Sequence, residues 1–420
     1  MPPRVHLPED LVTQVLLLLP ASTLARFRCV CRSWNADITS RSFHESHHAL
    51  ASTNRTSAGL PPKFAFLPTA PGPCIKHFPG CRGCPRLAGT KPCRGVVLVE
   101  RLCGGKFSVC NPSTGGVLHL PPPPRANFID DVFHCAGIGF DAPTGEYKVV
   151  NLRVNLTDRA RCNVLTLSDG SAGAWRSPAT ADQFLADGPI FVDKDVDPVF
   201  AGGCLHWMFK TNGTWYDEPH GILSFSLADE SFRRAPQPSF CTADLALLDY
   251  KSKNPRRSRV GFTSGCLSVI MPAGRALAEL DGSLCIVRDV RRRNDDVGRL
   301  FEIWRLQDYE AGSWSMDYSI SLAGDVAEQL TRPWLVVPIC YIGSGRKIVL
   351  VTSAHEAHIY DPDTGALHTV ASLTDDLKPK AEEPSEFLRF VLYQESLVQL
   401  NGMEHDVRQI KFVEVGTDEI

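Results

Sequence analysis

Nothing in this chain can cross a bilayer as a helix, because no apolar run approaches the roughly 18–20 residues that a span requires. The opening residues do not read as a secretory leader: Glu9 and Asp10 interrupt the pattern, and no small-residue cleavage site follows Leu16–Leu19. Nor does one sign of charge dominate. Lys and Arg total 44 against 47 Asp and Glu, a net charge of −3, so no global field draws the chain to nucleic acid or an anionic membrane. The sequence has no Gly-x-Ser-x-Gly elbow and no Walker loop. These absences point to an intracellular protein of cytoplasm or nucleus, with its 15 cysteines mostly reduced and the sequons at Asn54, Asn155 and Asn212 unused.

What the chain does have is concentrated at its start. Leu7, Leu11, Val15 and Leu18 recur at three- and four-residue steps, with Val12, Leu16 and Leu19 beside them. Pro8 suits a first helical turn, Glu9 and Asp10 suit the positive end of the helix dipole, and Pro20 ends the helix. Ser22 or Thr23 can cap a second helix carrying Leu24 and Phe27, and a third holds Val30, Cys31, Trp34 and Ile38. A segment this short buries too little surface to be stable alone, so its apolar positions need a partner.

The spacing of Leu7-Pro8, Leu11, Leu19-Pro20, Leu24, Phe27-Arg28-Cys29-Val30-Cys31 and Trp34 resembles the F-box, most closely that of plant F-box proteins. The resemblance covers residues 5 to 43 and implies docking onto the Skp adaptor of a Skp–cullin–F-box ubiquitin ligase. It assigns Leu7, Pro8, Leu11, Val15, Leu24, Val30 and Trp34 as adaptor-facing or F-box-packing positions. Thr13 is more polar than the family's usual residue there.

After residue 49 the texture changes. Residues 51–80 are rich in Pro, Gly, Ser and Thr and read as a linker running into a first strand around Lys63–Leu67. From about residue 86, short apolar strands alternate with turns. Val150, Leu152, Val154 and Leu156 alternate with Asn151, Arg153 and Asn155, and Leu223, Phe225 and Leu227 with Ser224 and Ser226. Three segments share the form Asn/Asp-x-x-Thr-Gly: Asn111–Gly115, Asp141–Gly145 and Asp361–Gly365. In each, the first side chain can bond the following backbone and the glycine can take positive φ, which makes a hairpin turn. Asp-x-x-x-Gly-x-Trp occurs at Asp169–Trp175 and Asp308–Trp314, and Gly-x-Leu opens strands at Gly203, Gly265 and Gly282. Helix-like stretches after the first 50 residues are confined to Asp182–Ala186 and Leu322–Leu330, which disfavours a parallel α/β fold. Radially repeated sheets, a β-propeller of about six blades, fit this length and repetition.

The phrases Gly137–Val150 and Ile359–Gly365 look like the F-box-associated, kelch-like repeat domain of plant F-box proteins. This second resemblance implies a substrate-recognition module. A double glycine appears in only a few blades, as at Gly104-Gly105 and Gly202-Gly203, a departure from regular kelch.

Other constellations carry weaker chemistry. Gly137-x-Gly139-x-x-Ala142 matches a dinucleotide fingerprint, but Pro143-Thr-Gly145 leads into a strand where that motif needs a helix. Cys81-x-x-Cys84, near Cys74, His77 and Cys93, offers one close pair where structural zinc uses two. His44, His47 and His48 read as an exposed helix end, and Cys29 and Cys31 as small apolar residues between the F-box helices. The basic clusters at Arg256–Arg259 and Arg291–Arg293 and the paired aspartates at 130–131, 295–296 and 375–376 read as solvated loops. Trp207 and Phe209 read as core, whereas Trp215 and Tyr216, beside Asn212-Gly213, are the candidate target-binding anchors.

The expectation is an α+β multidomain chain: an F-box at 1–48, a linker and first strand at 49–85, and an F-box-associated, propeller-like recognition domain at 86–415. Its partners are a Skp-type adaptor, a cullin reached through it, and a target protein, with no cofactor, metal, nucleic acid or membrane. The chain itself is expected not to be an enzyme. The competing readings are a propeller enzyme with a metal or small substrate in the central opening, and an adaptor-binding protein that directs no degradation.

Overall fold

The computed structural model describes residues 8–58, 63–67, 86–89, 91–101, 106–124, 132–155, 160–168, 171–186, 190–192, 196–210, 221–238, 275–289, 300–321, 326, 329–330, 333, 335–343, 346–372, 390–405 and 413–415. Four helices come first: α1 (Glu9–Leu17), α2 (Ala21–Phe27), α3 (Arg32–Thr39) and α4 (Arg41–Ala58). Pro8 and Pro20 occupy the positions before α1 and α2 and offer no side-chain cap. Ser22 and Thr23 therefore lie inside α2 instead of capping it: Pro20, with φ fixed near its helical value, already sets the chain's entry. Cys31 precedes α3, and its Sγ accepts the Trp34 N–H at 3.5 Å. α4 continues to Ala58, through the stretch expected to begin the linker.

Among the described residues the bounded elements that follow are β, with one further helix, α5 (Ala179–Ala186), and helical positions at 326, 329 and 330. Among the described residues, five antiparallel sheets have four or five strands, and a smaller sixth has three. The first sheet runs through Arg86–Leu87, Val97–Arg101, Lys106–Asn111 and Gly116–His119, with Glu404–His405 added at its edge. The second uses Val132–Asp141, Glu146–Asn155, Arg161–Ser168 and Ser171–Ala172. The third is built on Cys204–Lys210, Gly221–Ser226 and Phe232–Ala235, with Phe191–Val192 and Val199–Ala201 both paired to Cys204–Lys210. The fourth takes Arg275–Leu280, Ser283–Asp289, Leu300–Asp308 and Ser313–Ser321, and the fifth Val336–Ile342, Lys347–Thr352, Glu356–Asp361 and Ala366–Ser372. Apart from Phe191–Val192 in the third sheet and Glu404–His405 in the first, successive strands pair as a meander, the construction of a propeller blade. In the sixth, Phe64–Phe66 lies between Phe390–Leu392 and Val413–Val415, so sequence-distant segments close one sheet.

The chain divides into two compact units. One comprises residues 1–123, 166–174 and 333–420; the other comprises 124–165 and 175–332. The first holds the N-terminal helices, the first, fifth and sixth sheets; the second holds the third and fourth sheets and most of the second.

The repeated turn is the same device three times. Gly115, Gly145 and Gly365 have φ of 72°, 75° and 70°, and their N–H groups return to the carbonyls of Asn111, Asp141 and Asp361 at 2.9, 2.8 and 2.8 Å. Asp308 Oδ1 likewise accepts from Glu310 and Ala311 N–H, and Trp314 Nε1 donates to the Pro236 carbonyl. Asp169 lies outside the described residues.

The period-two strands differ from expectation in one respect. Asn151, Arg153 and Ser224, read as the polar face, are buried along with their apolar neighbours. A middle strand of a blade is covered on both faces, so its polar side chains must be satisfied internally. Ser224 Oγ meets His206 Nδ1 at 2.7 Å and accepts the Tyr309 hydroxyl at 2.5 Å, while His206 Nε2 reaches the Ala201 carbonyl at 3.1 Å. The expected core residues Trp207 and Phe209 are buried in the third sheet.

The glycines of the apparent dinucleotide motif lie within the Val132–Asp141 strand, not before a helix. Their role is close approach to the third sheet. A Cβ at Gly137 would stand 2.8 Å from Leu205 Cδ2, and one at Gly139 only 2.5 Å from Leu227 Cδ1 and 2.6 Å from Phe200 Cδ2. Gly139→Ala is expected to cost about 1–3 kcal/mol through overpacking, read as a lowered denaturant midpoint with unchanged slope. An unaltered midpoint would contradict the packing role.

Burial also sets a pH dependence. It depresses the His206 imidazole to about 4, and the His358 imidazole to about 4 despite Glu356 Oε2 at 3.6 Å. Between about pH 6.5 and 4 the unfolded chain therefore binds protons that the native chain refuses. Stability should fall with decreasing pH across that window, by roughly 2–3 kcal/mol per pH unit from these two residues near pH 5. The slope fades above pH 7 and is nearly gone by about pH 8. Urea titrations from pH 7 to 4.5 test this, and His206→Asn should remove about half of the slope.

Candidate functional site

The N-terminal helices enclose a small core. Leu16, Ala21, Leu24, Ile38 and Phe43 are buried together, with Val12, Leu17, Leu19, Phe27 and Trp34 packed partly against them. Phe27 and Trp34 tilt against one another with ring centroids 5.5 Å apart. His47, expected at an exposed helix end, is buried. Its ring stacks on Phe43, and Nε2 meets the Leu19 carbonyl at 2.9 Å, satisfying a group left open where α1 ends. His48 is half-buried, and burial lowers its pKa.

The amphipathic pattern of α1 separates cleanly in three dimensions. Val12, Leu16 and Leu19 turn inward, whereas Leu11, Val15 and Leu18, at the same three- and four-residue spacing but one position earlier, turn outward. Leu11 is 47%, Val15 59% and Leu18 69% exposed, and Val30 after α2 is 60% exposed. Pro8 is exposed beside them. Among the described residues only one other large hydrophobic side chain, Met316, is comparably open. Four of five such residues thus fall within twenty positions of one module. Scattered single exposures are ordinary, but a repeated apolar face marks an interaction surface.

Of the residues expected to serve docking, Pro8, Leu11, Val15 and Val30 are exposed, Trp34 is half-buried against Phe27, and Leu24 is fully buried as a packing residue. Leu7, Trp215 and Tyr216 lie outside the described residues, as do Cys74, His77, Cys81 and Cys84. Leu18 is the outward residue that the sequence-level assignment passed over, although its i+7 spacing from Leu11 gave the signal. Cys29 and Cys31 correct an expectation. Both are exposed, because the turn between α2 and α3 carries them outside the helix core. Among the described residues, no group of three or more His, Cys, Asp or Glu side chains is arranged to hold a metal ion, and no helix is long and apolar enough to cross a membrane.

A helical module with an apolar outer face, joined to propeller blades, defines a docking and recognition protein. Residues 5–45 match the F-box domain and residues 77–254 the F-box associated beta propeller domain. An F-box protein of Arabidopsis thaliana is 24% identical over 413 residues, covering 86% of each chain. Another is 26% identical over 260 residues, 60% of this chain and 81% of the relative. An F-box/kelch-repeat protein of the same plant is 22% identical over 288 residues, 63% of this chain and 72% of the relative. The chain belongs to the plant F-box proteins that carry a β-propeller.

Proposed function

We propose that this chain is the substrate receptor of a Skp–cullin–F-box ubiquitin ligase. The outward face of α1, continued by Pro8 and Val30, grips a Skp-type adaptor, and through it a cullin. The propeller holds a target protein, with Trp215 and Tyr216 as proposed anchors. The corresponding division is an F-box at 1–48, a connecting segment at 49–85 and the recognition domain at 86–415, working in cytoplasm or nucleus. The chain performs no covalent step. It raises the effective concentration of a target lysine near the charged conjugating enzyme.

The observation that supports this reading best is the exposure of Leu11, Val15 and Leu18 on one helix face above a core that the other face has already filled. The experiment is co-purification of the full chain with a Skp adaptor and cullin. Stoichiometric capture is expected, weakened by Leu7→Ala/Pro8→Ala. No capture, or capture indifferent to that double substitution, refutes the assignment.

A further inference from the structure

The core of the N-terminal helices is closed by a residue from the far end of the chain: Leu397 is buried with Leu16, Ala21, Leu24, Ile38 and Phe43. Leu397 belongs to residues 393–400, which form neither helix nor strand yet alternate their side chains with period two. Glu395, Leu397 and Gln399 face the helices. Glu395 Oε2 accepts the Ala21 N–H at 2.8 Å, and Gln399 Oε1 accepts from Arg28 Nη1 at 2.5 Å. Gln394 and Ser396 face the first sheet. Gln394 Oε1 accepts the Gly95 N–H at 3.0 Å, and Ser396 Oγ donates to the Arg94 carbonyl at 3.0 Å.

The first sheet grips the same segment through the repeated turn. Asn111 Nδ2 donates to the carbonyls of Ser396 and Val398 at 3.0 and 2.8 Å, while its Oδ1 holds the turn by accepting from Ser113 N–H. Ser113 Oγ donates to the Gln394 carbonyl and accepts from Ser396 N–H. This accounts for a difference within the motif. The other two copies begin with Asp, which caps the turn equally well but has no donor to offer two carbonyls. Asn is required only where the segment crosses. Gly95, at φ 85°, is required there too, since a Cβ would lie 2.0 Å from Ser396 Cβ.

We infer that residues 393–400 are a two-faced coupler that fixes the docking helices at one orientation to the first sheet, with Asn111, Ser396 and Leu397 as positioning residues. Resting on the receptor reading, its purpose is to hold the target at a set distance from the conjugating enzyme; the coupling itself is independent of any partner. The test is a pulsed electron-paramagnetic distance distribution on the full chain, with spin labels attached through unnatural amino acids at the exposed positions Ser46 and Lys106. Asn111→Asp keeps the turn and removes the donor, and is expected to broaden the distribution at least twofold. Glu395→Ala/Gln399→Ala should broaden it from the other side, while Gln399→Glu, which retains an acceptor for Arg28, should leave the width unchanged. Adaptor capture should stay within about twofold in all of them, because the α1 face is untouched. Unchanged widths in both disruptive variants overturn the coupler. Broadening in a chain that captures no adaptor would sink the receptor reading and leave the coupler standing.

Discussion

Val15→Glu/Leu18→Glu is expected to abolish capture of a Skp-type adaptor while leaving the fold intact. Each side chain is more than half exposed, so neither helix packing nor the core loses anything in the free protein. In a complex, burial of two such aliphatic groups is worth roughly 3–6 kcal/mol, and two buried carboxylates without partners add a further penalty. At about 1.4 kcal/mol per decade, the loss in affinity is at least about a hundredfold. Met316→Glu, at a side chain half exposed on the fourth sheet, is the control and should bind normally. Leu24→Ala supplies the opposite control. It lies at 0% exposure, so it should destabilise the F-box by about 2–5 kcal/mol and impair binding only through unfolding. Normal retention of the double glutamate variant in surface plasmon resonance, with native circular dichroism, would remove the α1 face from the interface.

The second large effect concerns the propeller. Lys148 is 5% exposed, and its Nζ sits 2.8 Å from Asp141 Oδ2, 3.1 Å from Glu230 Oε1 and 2.6 Å from the Leu227 carbonyl. Glu230 also forms a two-pronged ion pair with Arg176. Burial alone would depress the Lys148 pKa, but hydrogen bonds to the two carboxylates outweigh it and raise the value. Asp141 opens the repeated turn of the second sheet and Glu230 follows the turn that leads into Phe232–Ala235, so this ammonium ties two blades of one unit together. Lys148→Met should cost about 3–5 kcal/mol, because it strands Asp141 as a buried charge without its counter-ion. Asp141→Asn/Lys148→Met should recover part of the loss. Lys347 and Asp361 repeat the pair at the same turn, 3.1 Å apart, but Lys347 is about half exposed. Solvent screens that pair, so Lys347→Met should shift the denaturant midpoint far less. Equal midpoint shifts for the two methionine variants would show that burial is not what distinguishes them.

Much of this was written in local chemistry. A strand start near Lys63, a helix ending at Ala186 and three Asn/Asp-x-x-Thr-Gly turns follow from side chains that act on backbone only a few residues away. The F-box was legible because its leucine and proline spacing is a property of one helix hairpin. Other features depended on partners that the sequence does not place nearby. Local pattern made His47 a solvated helix end, and only the carbonyl of Leu19 explains its burial. The same pattern made Cys29 and Cys31 core residues, although the turn geometry carries them outward. Ser224 and Asn151 read as polar-face positions because alternation reports one covered face, whereas a blade's inner strands have two.

Sequence by itself determined that an apolar helical module precedes repeated antiparallel hairpins, because periodicity and turn chemistry are local and survive any rearrangement of the whole. Tertiary structure decided which leucines of α1 are spent inside and which remain outside, since both sets share one spacing and differ only in what packs against them. It also decided that Leu397, nearly four hundred residues from Leu16 in the chain, completes the first core. No pattern in either segment announces that contact: it exists because an extended segment with two faces, though no strand, can satisfy a helix bundle and a sheet at once.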